Sequence, residues 1–277
     1  MLLGDSFVEA FQVPPQRHFA RRLEALAAAD GRRVEVIVMG ASGQGTAHEL
    51  ANYEALGRSF APDVVFLFFC VNDPWNNLFA APAEGGRPPY VVDASGALVS
   101  TLAGRPERLP SEAELRRHAV KLRAGGLRTL RYLGKRLVAI RGAGEDEQRA
   151  ARLAALYELP PGQKDAVRED EQVMFDLLVA KLQDAIVERD GRRLLGVIVS
   201  GNVRKRQGSA YLGLVAWAKQ SFAREGIETL DLDTRFRERA RAEDVMPSAG
   251  DDPHWNEVGH AWVAEALYEK LEPLLGP

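Results

Sequence analysis

Four short stretches of the 277-residue chain hold side chains suited to acyl transfer: Gly4-Asp5-Ser6, Gly40–Gly45, Asn72-Asp73 and Asp251-Asp252-Pro253-His254. A serine hydroxyl is a weak nucleophile and needs a base within hydrogen-bond reach. His254 can serve, because an imidazole with an unperturbed pKa of about 6.5 takes and returns a proton near neutrality. Its other ring nitrogen must face an acceptor that fixes the tautomer. Asp251 stands three residues earlier and can curl under the ring; Asp252 competes for the role. A tetrahedral oxyanion needs preorganised donors. The backbone N–H groups of Ser6 and Gly43 and the side-chain amide of Asn72 are the candidates. Glycine at 43 lets the backbone approach closely without a Cβ.

These stretches must be brought together by a scaffold. Leu2–Leu3, Arg33–Met39, Val64–Val71, Arg193–Ser200 and Ile227–Leu232 read as strands. Helical patterns separate them: one after Pro14-Pro15, one from about Thr46, one over about Ala166–Arg189, one over Ser209–Arg224 and one from about Asn256 to Leu271. Val64–Val71 is apolar on both faces, as a strand covered by helix layers must be. Strand–helix alternation predicts an α/β fold, a doubly wound three-layer sandwich with a five-stranded parallel sheet. In such a sheet the site gathers at the carboxyl ends of the strands, where the first three stretches fall. Residues 74 to about 167 break the alternation, apart from one hairpin signal (Tyr90-Val91-Val92-Asp93, Ser95-Gly96, Ala97-Leu98-Val99). They read as a largely helical insertion, a lid or partner surface, in a single domain with core 1–73 and 168–277.

With its blocks in this order, the chain resembles the SGNH (GDSL-type) serine hydrolases. The matching residues are Gly4-Asp5-Ser6-Phe7, Gly43 within Ser42–Thr46, Asn72-Asp73 and Asp251-x-x-His254, and the likeness covers about 1–73 and 168–277. It implies a flavodoxin-like strand order and an esterase working through an acyl-enzyme on Ser6. His254 and Asp251 would complete the triad, and Ser6, Gly43 and Asn72 the oxyanion hole. No metal or organic cofactor is implied. The third block departs from the family, with Cys70-Val71 where a glycine usually precedes the asparagine. Trp75, Asn76, Asn77 and Trp255 are candidate pocket walls, since an aromatic wall suits a sugar face or an acyl chain. Short acyl or acetyl esters of sugars or small molecules are the expected substrates. Transfer of the acyl group to a glycan hydroxyl is the alternative, and a non-catalytic binding module a remote one.

Plainer roles fit the other residues. Asp5 reads as a turn and cap residue, and Cys70 as a small core residue. His260, His18, His48 and His118 read as structural, and the five histidines lack metal-ligand spacing. The Gly40-x-x-Gly43-x-Gly45 loop lacks the G-x-G-x-x-G order of a dinucleotide turn and follows the second strand rather than the first. No G-x-S-x-G elbow occurs, which argues against an α/β-hydrolase.

Composition sets the outer limits. Apolar residues make up 46% and the formal net charge is −3, which excludes a disordered chain. One cysteine allows neither an internal disulfide nor a multi-thiolate zinc site. The near-neutral total also argues against a nucleic-acid binder. That total conceals a contrast: residues 104–142 hold eleven Lys and Arg against three acids, +8, leaving −11 for the rest. A basic stretch with a leucine stripe suits an anionic membrane surface or an acidic partner; a lid packed on the core is the plainer reading. Only Met1-Leu2-Leu3 precedes the first glycine turn, with no room for a signal peptide. The first strand thus reads as a stub, and an extracytoplasmic or membrane-anchored parent is the expectation.

Overall fold

The computed structural model describes residues 1–78, 88–102, 169–199, 209–248 and 253–275. The basic stretch 104–142, His118, Asp251 and Asp252 lie outside these residues. The main sheet has five parallel strands: β1 (Leu2–Gly4), β2 (Val38–Gly40), β3 (Val64–Phe69), β6 (Arg193–Ile198) and β7 (Glu228–Asp231). Their order is β2-β1-β3-β6-β7, the expected flavodoxin-like arrangement. A second, antiparallel pair, β4 (Tyr90–Val92) and β5 (Leu98–Ser100), forms the hairpin that the sequence signals.

β3 explains the layering. All six of its residues are buried, and alternate ones serve different cores. Phe66 and Phe68 join Leu2, Phe19 and Trp262 on one face; Val65, Leu67 and Phe69 join Leu3, Leu50, Tyr53 and Phe175 on the other. Helices α2 (Phe19–Ala29), α7 (Leu232–Glu243) and α8 (Glu257–Leu271) cover the first face. Helices α3 (Thr46–Ala55), α5 (Glu169–Gln183, continued as a π-helix over Asp184–Arg189) and α6 (Ser209–Arg224) cover the second. Each large side chain so buried is worth about 1.5–3 kcal/mol.

Four elements differ from the sequence reading. β2 pairs only over Val38–Gly40 and not from Arg33, because its single neighbour β1 offers Leu2, Leu3 and Gly4 as partners. The chain continues as helix after Asn72, in α4 (Asp73–Leu78), and directly after Asp5, in α1 (Ser6–Glu9). Four to six residues are too few to display a helical period. α7 was also hidden, since Leu232 and Phe236 are its buried apolar residues. Charge holds it instead: Arg237 pairs with Asp233 and Arg239 with Glu243 at i,i+4, while Arg235 and Arg239 reach Glu269 and Glu265 on α8. None of the described helices is long and apolar enough to cross a membrane.

Two histidines fasten the first face. His18 caps α2, its Nδ1 accepting the Ala20 N–H at 3.0 Å while Nε2 donates to the Val8 carbonyl at 2.9 Å. His260 on α8 accepts the Phe19 N–H at Nδ1, 3.1 Å, and stacks on the Phe19 ring. An Nδ1 that accepts cannot carry a proton, so both rings are neutral Nε2–H tautomers. Burial, then His18 and Arg22, lowers the His260 pKa to about 3. The unfolded chain therefore binds one more proton between pH 6.5 and about 3. The stabilisation is complete above pH 6.5 and lost as pH falls through that window, by at most about 5 kcal/mol. The melting temperature should drop across this acid range, and His260→Gln, which keeps an acceptor but cannot charge, should flatten the drop in a thermal-shift series.

Candidate active site

The Ser6 Oγ and the His254 Nε2 lie 2.8 Å apart across 248 residues of sequence. Ser6 opens α1 directly beyond the carboxyl end of β1. Asp5 makes that turn: its Oδ1 accepts the Phe7 N–H at 2.9 Å, capping the helix. The Asp5 carboxyl is 1% exposed, and burial raises its pKa against the hydrogen bonds from Phe7 and Asn72.

His254 is held by its neighbours. Ser248 and Trp255 form an antiparallel bridge. Asn256 caps α8 by accepting the Val258 and Gly259 N–H groups, while its amide donates to the Met246 and Ser248 carbonyls at 2.8 and 3.2 Å. The imidazole lies against the Phe7 ring, centroids 4.7 Å apart, and Trp255 meets the same ring edge-on at 4.9 Å. Ser6 and its base are thus linked a second time, through the residue following the serine.

Gly43 is exposed in the loop after β2, with φ +80°. Among the described residues a Cβ there would meet nothing within 4 Å, and the left-handed backbone by itself favours glycine. The loop is tied to α1 by Glu9, whose carboxylate accepts both the Ser42 N–H at 2.8 Å and the Ser42 hydroxyl. Asn72, half-buried after β3, donates from Nδ2 to Asp5 Oδ2 at 3.3 Å. An amide nitrogen has two hydrogens, so one remains for another acceptor.

The candidate pocket residues separate. Trp75 is half-buried on α4. Asn76 donates to the Gln44 carbonyl at 3.1 Å, and Asn77, fully buried, accepts the Ala47 N–H at 2.9 Å, so these two tie α4 to α3 and the loop before it. Trp255 is 2% exposed among Phe7, Phe19, Phe236 and His260; it is a core residue beneath Phe7 rather than a wall open to ligand. At the far end of α4, a cavity of about 840 Å³ is bounded, among the described residues, by Leu78, Tyr90, Val91, Val92, Val173 and Met174, with Asn77 at its edge. Cys70 is buried, and burial followed by Asp5 and Asp73 pushes its thiol well up, away from thiolate chemistry. Sequence reasoning passed over Phe7, Glu9 and Asn256, whose roles depend on partners distant in the chain. The Asn256-x-x-Gly259 capping pattern before an apolar helix was the one local clue.

A hydroxyl hydrogen-bonded to an imidazole can perform nucleophilic acyl transfer. The family model described as GDSL-like Lipase/Acylhydrolase matches residues 2–262. No curated protein matches the sequence. Among solved structures, the chain is similar to an acetyl xylan esterase, AlAXEase, with TM-score 0.53, 14% identity and 98% of each chain covered. It is similar to TesA, with TM-score 0.51, 13% identity, and 99% of this chain and 98% of that one covered. It is also similar to the esterase EstA from Pseudoalteromonas sp., with TM-score 0.51, 11% identity, and 100% and 97% covered. At these identities the likeness establishes the fold.

Asn256→Ala should cost about 1–3 kcal/mol in urea unfolding, through the lost cap and two lost carbonyl partners. Because His254 is two residues away, ester turnover should fall in the variant while it remains folded.

Proposed function

The chain belongs to the GDSL-like lipase/acylhydrolase family and is an esterase, and from that premise we propose that Ser6 is its nucleophile and His254 its general base. The observation that carries this reading is the 2.8 Å contact between Ser6 Oγ and His254 Nε2. Ser6 Oγ attacks the ester carbonyl as its proton passes to Nε2. The oxyanion takes hydrogen bonds from the Ser6 and Gly43 N–H groups and from the second hydrogen of the Asn72 amide. Ser6 is the first residue of α1, where a backbone N–H has no acceptor within its helix. Collapse of the intermediate expels the alcohol, which receives the proton from His254. Water, deprotonated by the same imidazole, then releases the acid and restores Ser6. Asp251, which lies outside the described residues, is assigned the Nδ1 side of the ring from the resemblance of Asp251-x-x-His254 to the family's motif.

The substrates we assign are short acyl or acetyl esters of sugars or small molecules. Half-exposed Trp75 supplies an aromatic face on α4, the helix directly after Asn72. The acetyl xylan esterase among the similar folds agrees in substrate class.

Ser6→Ala should abolish hydrolysis of a short-chain p-nitrophenyl ester and labelling by a fluorophosphonate, and retained turnover would refute the mechanism. Asn72→Ala should lower kcat by about 100–1000-fold. A panel varying acyl length and leaving group, run with and without a sugar acceptor, reads substrate class and separates hydrolysis from transfer. Acyl product on the sugar in place of free acid would overturn the hydrolytic assignment.

A further inference from the structure

Beneath Ser6 the chain buries three carboxyl groups close enough to repel one another: Asp5, Glu49 on α3 and Asp73 at the start of α4. They are 1%, 0% and 0% exposed. Asp5 has donors in Phe7 and Asn72. Asp73 Oδ2 accepts the Cys70 N–H at 2.9 Å, but its Oδ1 has no hydrogen-bond partner, and neither oxygen of Glu49 has one, among the described residues. The surroundings are tightly drawn. The Ala47 N–H on α3 bonds Asn77 Oδ1 on α4, and a Cβ at Gly45 would sit 2.9 Å from the Asp73 carbonyl oxygen.

Among the described residues, the charged groups shown to act on Glu49 and Asp73 are acidic. Beyond burial, Asp5 raises the Glu49 pKa, and Glu49 and Asp5 raise that of Asp73. His48, beside it on α3, turns its Nδ1 back toward the Gly45 N–H. Cys70 ends β3 as a buried thiol. Arg58, past the end of α3, bonds Asp190. On α5, packed against α3, the buried titratable residue is Glu171. The paired segments of β1 and β2 carry no charged side chain.

A buried carboxylate without a donor or counter-ion is strongly disfavoured, whereas a neutral acid both donates and accepts. Burial, then Asp5, accordingly pushes Glu49 well above the usual carboxylate range, and burial, then Glu49 and Asp5, does the same to Asp73. Acceptor oxygens on two neighbouring acids satisfy each other when one proton lies between them.

We propose that Glu49 is a positioning residue of the esterase site: it shares one proton with Asp73, and this acid pair holds the Cys70–Asp73 turn that presents the Asn72 amide. Asp73 grips both ends of that turn, its carboxylate accepting the Cys70 N–H and its own N–H donating to the Cys70 carbonyl at 2.9 Å. No bond is made or broken in the pair. The link to turnover rests on the oxyanion role given to Asn72 above; the shared proton does not.

For acids whose folded pKa is raised, the stabilisation is present at low pH and is lost as pH rises through the folded value. The wild-type melting temperature should therefore fall as pH rises from about 4, the ordinary carboxylate range, toward the raised folded values. Glu49→Gln replaces the proton with an amide donor that cannot titrate. It should flatten that fall and remove a protonated-carboxyl band from the infrared spectrum at neutral pH. Glu49→Ala should lower kcat by about 10–100-fold with little change in KM, and Glu49→Gln should restore it. If the Glu49→Gln melting profile and infrared spectrum superimpose on those of wild type, the shared proton is refuted, even where Glu49→Ala does not fold. If the profile shifts but Ser6→Ala still hydrolyses ester, the acid pair stands and the active-site assignment falls.

Discussion

The 2.8 Å contact between Ser6 and His254 joins the two ends of the chain, and most of the molecule exists to maintain it. A hydrogen bond of this kind contributes only about 1 kcal/mol net. It cannot pull 248 intervening residues into place, so each partner must already be held by larger forces. On the serine side these are the ladders that place β1 between β2 and β3, and the capping carboxyl of Asp5. On the histidine side they are the Asn256 cap and the burial of Trp255 under Phe7. Phe7 touches both His254 and Trp255, so apolar packing and the polar contact agree on one geometry.

The polar groups under the site are arranged in two opposite electrostatic environments. On the α2–α8 face, His18 and His260 are held neutral by accepting backbone N–H groups, which resists protonation. On the α3–α4 face, burial drives Asp5, Glu49 and Asp73 toward the protonated state, and neighbouring acids add to it at Glu49 and Asp73. One face thus favours loss of a proton and the other favours keeping it, with β1 and its serine between them. Removing water from ionisable groups beside a reaction centre is the common cause of both.

Much of the scaffold was legible in the sequence because its signals are local. The apolar run at Val64–Phe69 could only be a covered strand, and Ser209–Arg224 carries its own helical periodicity. α7 was missed because ion pairs to α8 replace the apolar stripe, and no local pattern reports a partner that distant. α1 and α4 are shorter than the periodicity that would reveal them. At the site, residue types and spacing selected Ser6, Gly43, Asn72 and His254. Trp255 was misread because adjacency to His254 does not say which way a ring points.

By itself the sequence determined the chemical inventory: a serine, a histidine, glycine turns and an amide at the ends of predicted strands, in the order of a known family. Those features follow from residue type and short-range periodicity, which survive without coordinates. Only the tertiary structure decided the 2.8 Å contact, the use of a left-handed backbone at Gly43, the burial of Trp255 and the gathering of Asp5, Glu49 and Asp73. Each of these joins residues far apart in the chain or depends on exclusion of water, and burial is a property of the whole packed molecule rather than of any segment.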